Sequence, residues 1–278
     1  MQIIKSEITF LLKEDKAFQD ITTNSIIVQN TMHTFKVTSK QALPFVLCGV
    51  EAMSQALAVV LAKNEITYSA SNGQVIHHGD VVISGKASIK ELLQVERCVL
   101  NLIQHLSGIA TKTQEFINTL DDKRIKILDT RKTMPYLRRL QKYAVKVGGG
   151  FNHRMNLAEM AMIKDNHIVA ANGSIYDAVR LVRKNTPNVK IEVECDNITQ
   201  VEETSTCGVD IILLDNMTID KIKVASKIIR NNSSSYIEVS GGITLKTIAQ
   251  YKGLDIDYIS IGNLTHSVDA VDISLEVL

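Results

Sequence analysis

The sequence predicts an α/β protein: a closed or nearly closed β/α barrel, or else a doubly wound parallel sheet, preceded by a smaller α+β region. Three observations carry this. After residue 120, short apolar runs alternate with segments of helical spacing and length. Before it lies a long helical stretch beginning at Ile89, and before that a mixture of strand and helix patterns without this rhythm. Every apolar run of the second part ends in polar, charged or glycine residues.

Taken in order, Leu11-Leu12 close a short helical pattern, and Asp20-Ile21-Thr22-Thr23 reads as a loop or helix start. Thr34 to Ser39 alternates as a half-buried strand should. Gly49 to Ala62 is rich in Ala, Leu and Val and reads as a buried helix. Glu65 to Ser71 and Asp80 to Ser88 read as strands, separated by Asn-Gly and Gly-Asp turn signals. From Ile89, apolar residues recur at helical spacing (Leu92, Leu93, Val99, Leu100, Ile103, Leu106). This predicts a helix to about Ser107-Gly108, a second helix over Thr111 to Leu120, and a domain junction nearby.

The later runs are Ile125–Leu128, Ala161–Ile163, Val189–Val193, Val209–Leu214, Tyr236–Val239 and Tyr258–Ile261, with helical segments such as Ile175–Lys184 and Met217–Ile229 between them. Repeated strand–helix units give parallel sheets with right-handed crossovers. In a β/α barrel the C-terminal strand ends converge on one mouth, where active sites are built. Here those ends are Asp129-Thr130-Arg131-Lys132, Lys164-Asp165-Asn166-His167, Glu194, Asp215-Asn216, Ser240-Gly241-Gly242 and Gly262-Asn263.

Composition narrows the class. The chain has 278 residues, 45% of them apolar, with 31 Lys plus Arg against 30 Asp plus Glu. That is ample for a buried core and lacks the basic excess of a bulk nucleic-acid binder. Aromatics are 5% with no Trp, so stacking platforms for single strands are not favoured. No apolar stretch is long enough to span a bilayer, and the N-terminus has no signal-peptide pattern. The four cysteines form no C-x-x-C pair, which speaks against a disulfide scaffold or a cysteine zinc site. The expectation is a soluble cytoplasmic protein that binds neither nucleic acid nor membrane.

Charge is unevenly spread. Arg131 to His167 holds eight Lys or Arg against Glu159 and Asp165. Arginine forks match carboxylates and phosphates, so this is a candidate anion site. Arg138, Arg139, Lys142 and Lys146 have the spacing of a solvated basic helix face. Arg131, Lys132, Arg154 and Lys164 sit at strand ends or beside glycines, where a helix face does not account for them. Gly148-Gly149-Gly150 frees the backbone ahead of His153 and Arg154, but without a recognised phosphate-loop spacing. Acids concentrate later. Glu192 and Glu194 share one face of a strand, and Glu194 and Asp215 end adjacent runs and can meet. Two carboxylates opposite a basic cluster suit sugar hydroxyls or a Mg²⁺ shared with phosphates. Glu202 and Glu203 read as surface carboxylates. The Ser240-Gly241-Gly242 and Ile261-Gly262-Asn263 turns offer backbone N–H groups for a phosphate.

These residues, in this order, form a resemblance. Glu96-Arg97-Cys98-Val99-Leu100-Asn101, with Gln104 and Ser107 to Thr111, resembles the E-R-x-x-L-N-x-x-Q-x-x-S-G-I-A-T run of quinolinate phosphoribosyltransferases. Asp129 to Thr133, Lys142 to Val145, Gly148 to Arg154, Ile163 to His167, Glu192 to Glu194, Leu214 to Met217, Ser240 to Gly242 and Leu264 to Ser267 match the family's later motifs. Tyr136 departs from it, standing where the family usually has glycine before Leu-Arg; so does Gln19, where glycine often precedes Asp-Ile-Thr.

The resemblance implies an N-terminal α/β sandwich domain (residues 1–110, joined by a returning tail at about 268–278). It also implies an open, TIM-like β/α barrel over residues 111–267 and a homodimer with shared active sites. The implied reaction converts quinolinate and phosphoribosyl pyrophosphate to nicotinate mononucleotide, pyrophosphate and CO₂ with Mg²⁺, in de novo NAD biosynthesis. By motif position, Arg97 of a neighbouring subunit, Arg131, His153 and Arg154 resemble the quinolinate-binding residues. Lys132 and Lys164 resemble the lysines near both substrates. Glu194 and Asp215 resemble the ribose and metal carboxylates. Ser240, Gly241, Gly242 and Gly262 resemble the phosphate cradle, and Thr130 belongs with the substrate contacts. The alternatives are a related pyrophosphorylase acting on a different acid or base, a barrel aldolase using Lys164 as a Schiff-base amine, and a non-enzymatic anion- or RNA-binding module.

Overall fold

The computed structural model describes residues 3–278. Its strands are β1 (Met32–Ser39), β2 (Phe45–Val46), β3 (Asn64–Tyr68), β4 (Val75–Ile76), β5 (Val81–Ser88), β6 (Lys126–Leu128), β7 (Ala161–Ile163), β8 (Ile191–Cys195), β9 (Ile211–Asp215), β10 (Tyr236–Ser240), β11 (Tyr258–Ser260) and β12 (Ile273–Val277). Its helices are α1 (Lys5–Glu14), α2 (Ile21–Ile26), α3 (Ala52–Val59), α4 (Ile89–Leu120), α5 (Arg138–Val147), α6 (Asp165–Ala170), α7 (Ile175–Asn185), α8 (Ile198–Ser205), α9 (Ile219–Asn232) and α10 (Asn263–His266). Among the described residues no helix is long and apolar enough to cross a membrane.

The chain divides into two compact units. The first comprises the chain up to Gln114, Leu140–Gly149 and Ser267–Leu278. Its sheet has the order β12-β1-β5-β3, antiparallel throughout, so the last strand of the chain pairs with the first. Phe35 and Val37 of β1, Ile83 of β5 and Leu92, Val95 and Val99 of α4 are buried and form its core.

Two expectations are corrected by the structure. The helix break at Ser107-Gly108 does not occur: α4 runs unbroken over 32 residues. A Cβ on Gly108 would lie 2.2 Å from the Asp269 carbonyl oxygen. The glycine admits the C-terminal segment against the helix rather than ending it. Ser107 Oγ meanwhile accepts the Cys48 N–H at 2.9 Å. Gly148 is used in the same way, since a Cβ there would lie 2.3 Å from the Ala110 carbonyl. The expected solvated face of α5 is corrected in part: Lys142 is fully buried and Arg138 and Arg139 are half-buried, while Lys146 is exposed.

The second unit comprises Glu115–Arg139 and Gly150–His266. It holds a six-stranded parallel sheet of order β6-β11-β10-β9-β8-β7. Phe151 extends it by a parallel bridge to Leu128 beyond β6. Inter-strand helices start at side-chain caps: Ser174 for α7, Asn197 for α8 and Thr218 for α9. Such caps satisfy N–H groups that have no partner within the helix.

Charged clamps hold the N-terminal ends of the strands. Arg183 donates to the Val189 and Gly208 carbonyls and to Asp210, whose Oδ2 accepts the Ile191 N–H at 2.8 Å. Arg230 bonds Asp255 and Asp257, and Asp257 accepts the Ile237 N–H at 2.7 Å. In the register β10 aligns Ser240 with Asp215 of β9, and β8 aligns Glu194 with Leu213. The predicted chemistry therefore lies level along the other end of the sheet.

Candidate active site

That C-terminal end opens into a cavity of about 350 Å³. Every strand of the sheet supplies part of its wall. Thr130, Arg131 and Lys132 follow β6, and His153 and Arg154 follow the Phe151 bridge. Met162 and Lys164 come from β7 and its end, Glu194 from β8, and Leu213 and Asp215 from β9. Glu238 and Ser240 belong to β10 and Ser260 to β11. β6 and β7 are opposite edges of the sheet, and in a flat sheet they would lie about 24 Å apart at the usual strand spacing. They share one cavity, so the sheet is strongly curled. Arg154 donates to the Met160 carbonyl at 2.8 Å and to Met162 Sδ at 3.5 Å.

The basic side holds two guanidiniums close together. Arg154 is pulled below the usual arginine range, by burial first and then by the Arg131 charge. The Arg131 Nε is buried without a hydrogen-bond partner. Two neighbouring cations, one with an unmet donor, constitute an anion receptor. Lys132 sits beside them; its amide N–H donates to Thr130 Oγ1 at 3.0 Å and its carbonyl accepts from Thr265 Oγ1 at 2.7 Å. A Cβ on Gly262 would meet Lys132 Cδ at 2.9 Å, so the absence of a side chain there lets the lysine stem pass.

The floor is a buried triad. His153 Nε2 lies 3.1 Å from Glu192 Oε2 and 3.4 Å from Glu238 Oε1. Burial disfavours the charged imidazole, but the two carboxylates outweigh it and push His153 up to about 10. Glu192 is pushed up to about 7, by burial first and then by the Glu238 charge, against the pull of His153 and Arg154. Among the described residues, these three are the one grouping of His, Cys, Asp or Glu whose donor atoms all lie within 4.8 Å of one another.

The acidic side carries Glu194, ion-paired to Lys164, with Asp215 on the same wall. Beside it lies a tight turn. Asn216 adopts φ 53° and donates its amide N–H to the Ser240 carbonyl at 3.0 Å. Gly241 follows with φ +103°, and a Cβ there would lie 2.2 Å from Asn216 Oδ1. Only glycine fits, and its backbone is left bare beside Ser240. A Cβ on Gly242 would meet open space, although its φ is +60°.

The structure thus brings Thr130, Arg131, Lys132, His153, Arg154, Lys164, Glu194, Asp215 and Ser240 to one cavity, with Gly241, Gly242 and Gly262 in the adjoining turns. Arg97 is not among the lining residues; it lies exposed on α4 within the first unit. Sequence reasoning missed Glu238 and Ser260. The available signal was period two: Glu238 precedes Ser240, and Ser260 precedes Gly262, on the same strand face.

A family model described as the C-terminal domain of quinolinate phosphoribosyl transferase matches residues 109–276, and the model of its N-terminal domain matches residues 20–107. A Mycobacterium leprae protein named nicotinate-nucleotide pyrophosphorylase (carboxylating) is 40% identical over 263 residues, covering 93% of this chain and 91% of its own. The crystal structure of nicotinate-nucleotide pyrophosphorylase from Ehrlichia chaffeensis superposes with a TM-score of 0.92 at 40% identity, covering 100% of both chains. That of NadC from Streptococcus pyogenes gives a TM-score of 0.90 at 38% identity, covering 100% of this chain and 99% of that one.

Proposed function

The chain belongs to the quinolinate phosphoribosyl transferase family, and from that premise we propose that it converts quinolinate and phosphoribosyl pyrophosphate to nicotinate mononucleotide, pyrophosphate and CO₂ in NAD biosynthesis. The observation that carries this is the pairing of Arg131 and Arg154, with an unmet buried guanidinium N–H, across one cavity from Glu194 and Asp215. A dicarboxylate and a cationic sugar need just such an opposition.

In this reading Arg131, Arg154 and His153 hold the quinolinate carboxylates and strip their water. Arg97 joins them from the neighbouring subunit of a homodimer. Ser240 with the Gly241, Gly242 and Gly262 turns and Thr130 hold phosphate groups. The ring nitrogen then bonds to the ribose carbon as the bond to pyrophosphate breaks, through a sugar with cationic character. Glu194 and Asp215 stabilise that charge, while Lys132 and Lys164 face both substrates. The ring–carboxylate bond breaks next, leaving its electron pair on the ring carbon beside the now-cationic nitrogen; a proton replaces CO₂. Orientation and fixed charge supply the catalysis.

Glu194 and Asp215 suit Mg²⁺, because both are hard oxygen donors. In this reading the ion is held mainly through substrate phosphates. When bound, Mg²⁺ would neutralise charge on the departing diphosphate. We read the curled sheet as an open, TIM-like barrel, and the first unit as its sandwich partner domain in a cytoplasmic enzyme.

The test is incubation with quinolinate, phosphoribosyl pyrophosphate and Mg²⁺, scoring CO₂ and nicotinate mononucleotide together. Equal yields of both are expected. Turnover of nicotinate in place of quinolinate would overturn the substrate assignment.

A further inference from the structure

The four cations that face the dicarboxylate ride on two loops: Arg131 and Lys132 after β6, His153 and Arg154 after the Phe151 bridge. Two clamps tie these loops together. The inner one is Asp129, which is buried and accepts the His153 N–H at 2.9 Å and the Asn152 side-chain amide. The outer one is Arg138. Its Nε donates to Thr133 Oγ1 at 3.0 Å, its Nη1 to the Met155 carbonyl at 3.3 Å, and its Nη2 to the Arg131 carbonyl at 3.5 Å. One planar fork thus spans the backbone beside Arg131 and the backbone beside Arg154.

The placement of Arg138 is not explained by its helix. It is the first residue of α5, whose first turn holds no acidic residue. A cation at a helix N-terminus opposes the helix dipole. Its contacts lie in the loops, and it is half-buried against them.

We propose that Arg138 is a positioning residue that sets the separation of Arg131 and Arg154, and thereby selects an anion with two adjacent carboxylates. This rests on the reading that the cavity takes quinolinate. Lysine cannot substitute, because an ammonium is a point charge and cannot reach three acceptors on two loops. Ser240 and Asp215, on the phosphate and ribose side, come from other strands, β10 and β9.

The experiment compares Arg138→Lys and Arg138→Gln with wild type in KM for each substrate. It also compares inhibition by benzene-1,2-dicarboxylate and benzene-1,3-dicarboxylate. A misplacement of about 1 Å can cost on the order of 100-fold, so quinolinate KM should rise about 10- to 100-fold. KM for phosphoribosyl pyrophosphate should stay within about threefold, and the preference for the 1,2- over the 1,3-isomer should fall. Thr133→Val, which removes one of the three contacts, should give an intermediate effect with the fold retained. Quinolinate KM within threefold of wild type in both Arg138 variants would overturn the proposal. So would an equal rise in both KM values, which signals general loosening. If wild type fails to turn over quinolinate, the substrate reading fails. Equilibrium dialysis of the two benzene dicarboxylates then tests Arg138 alone.

Discussion

Replacing Arg131 with glutamine isolates the anion-binding role of one side chain. The Arg131 backbone serves the loop: its carbonyl accepts the Thr133 N–H at 2.9 Å and the Arg138 fork at 3.5 Å. Its Nε, by contrast, is buried with no partner, and its charge works against that of Arg154. Arg131→Gln leaves the loop bonds in place and relieves that repulsion. Stability should therefore hold or rise slightly, with Tm unchanged or higher. Binding should suffer: losing one partner of a desolvated charge pair costs about 2–5 kcal/mol. At about 1.4 kcal/mol per factor of ten, kcat/KM for quinolinate falls roughly 30- to several-thousand-fold. The assay is initial CO₂ release with quinolinate varied at saturating phosphoribosyl pyrophosphate, alongside a thermal melt. A kcat/KM within fivefold of wild type would refute the assignment. A Tm loss of about 8 °C or more, which corresponds to at least ~2 kcal/mol in a domain of this size, would show instead that the guanidinium is structural.

Three further outcomes are expected. Arg97→Ala and Lys132→Ala should each be nearly inactive as homodimers, while an equal re-annealed mixture should recover about a quarter of wild-type activity by symmetry; confirmed subunit exchange without recovery would mean Arg97 does not act across a dimer. Chelator should abolish activity, and Mg²⁺ or Mn²⁺ should restore it, without a change in the melt; full activity in excess chelator would remove the metal from the mechanism. Glu192 is held above the usual carboxylate range, at about 7, so its favourable contribution is fully present below about pH 4.5 and is lost as pH rises through 7. Glu192→Gln should flatten urea-derived stability between pH 5 and 8 by up to about 3 kcal/mol, and an unchanged slope would show that this carboxyl is not the titrating group.

Much of the cavity was legible along the chain, for a local reason. A strand that ends in a charge or a glycine announces its end within five residues, and Arg131, Lys164, Glu194, Asp215 and Ser240 all stand at such ends. Glu238 escaped notice because one acid inside Tyr236–Ser240 resembles an outward-facing residue until its neighbours are known. Helical spacing predicts Lys142 as a solvated charge, and yet it is buried. Helical spacing locates a face but does not say what packs on it.

Sequence alone determined the alternation of strand and helix, the strand ends that carry chemistry, the excess of cations between Arg131 and Lys164, and the family. These are properties of neighbouring residues, and short-range periodicity encodes them. Tertiary structure alone decided that Gly108 admits Asp269 across more than a hundred residues instead of ending α4. It alone decided that His153 lies between Glu192 and Glu238, and that Arg138 turns from its helix to join two loops. Each of these depends on an approach of a few ångströms between segments distant in sequence. The packing of the whole chain sets such an approach, and no local pattern records it.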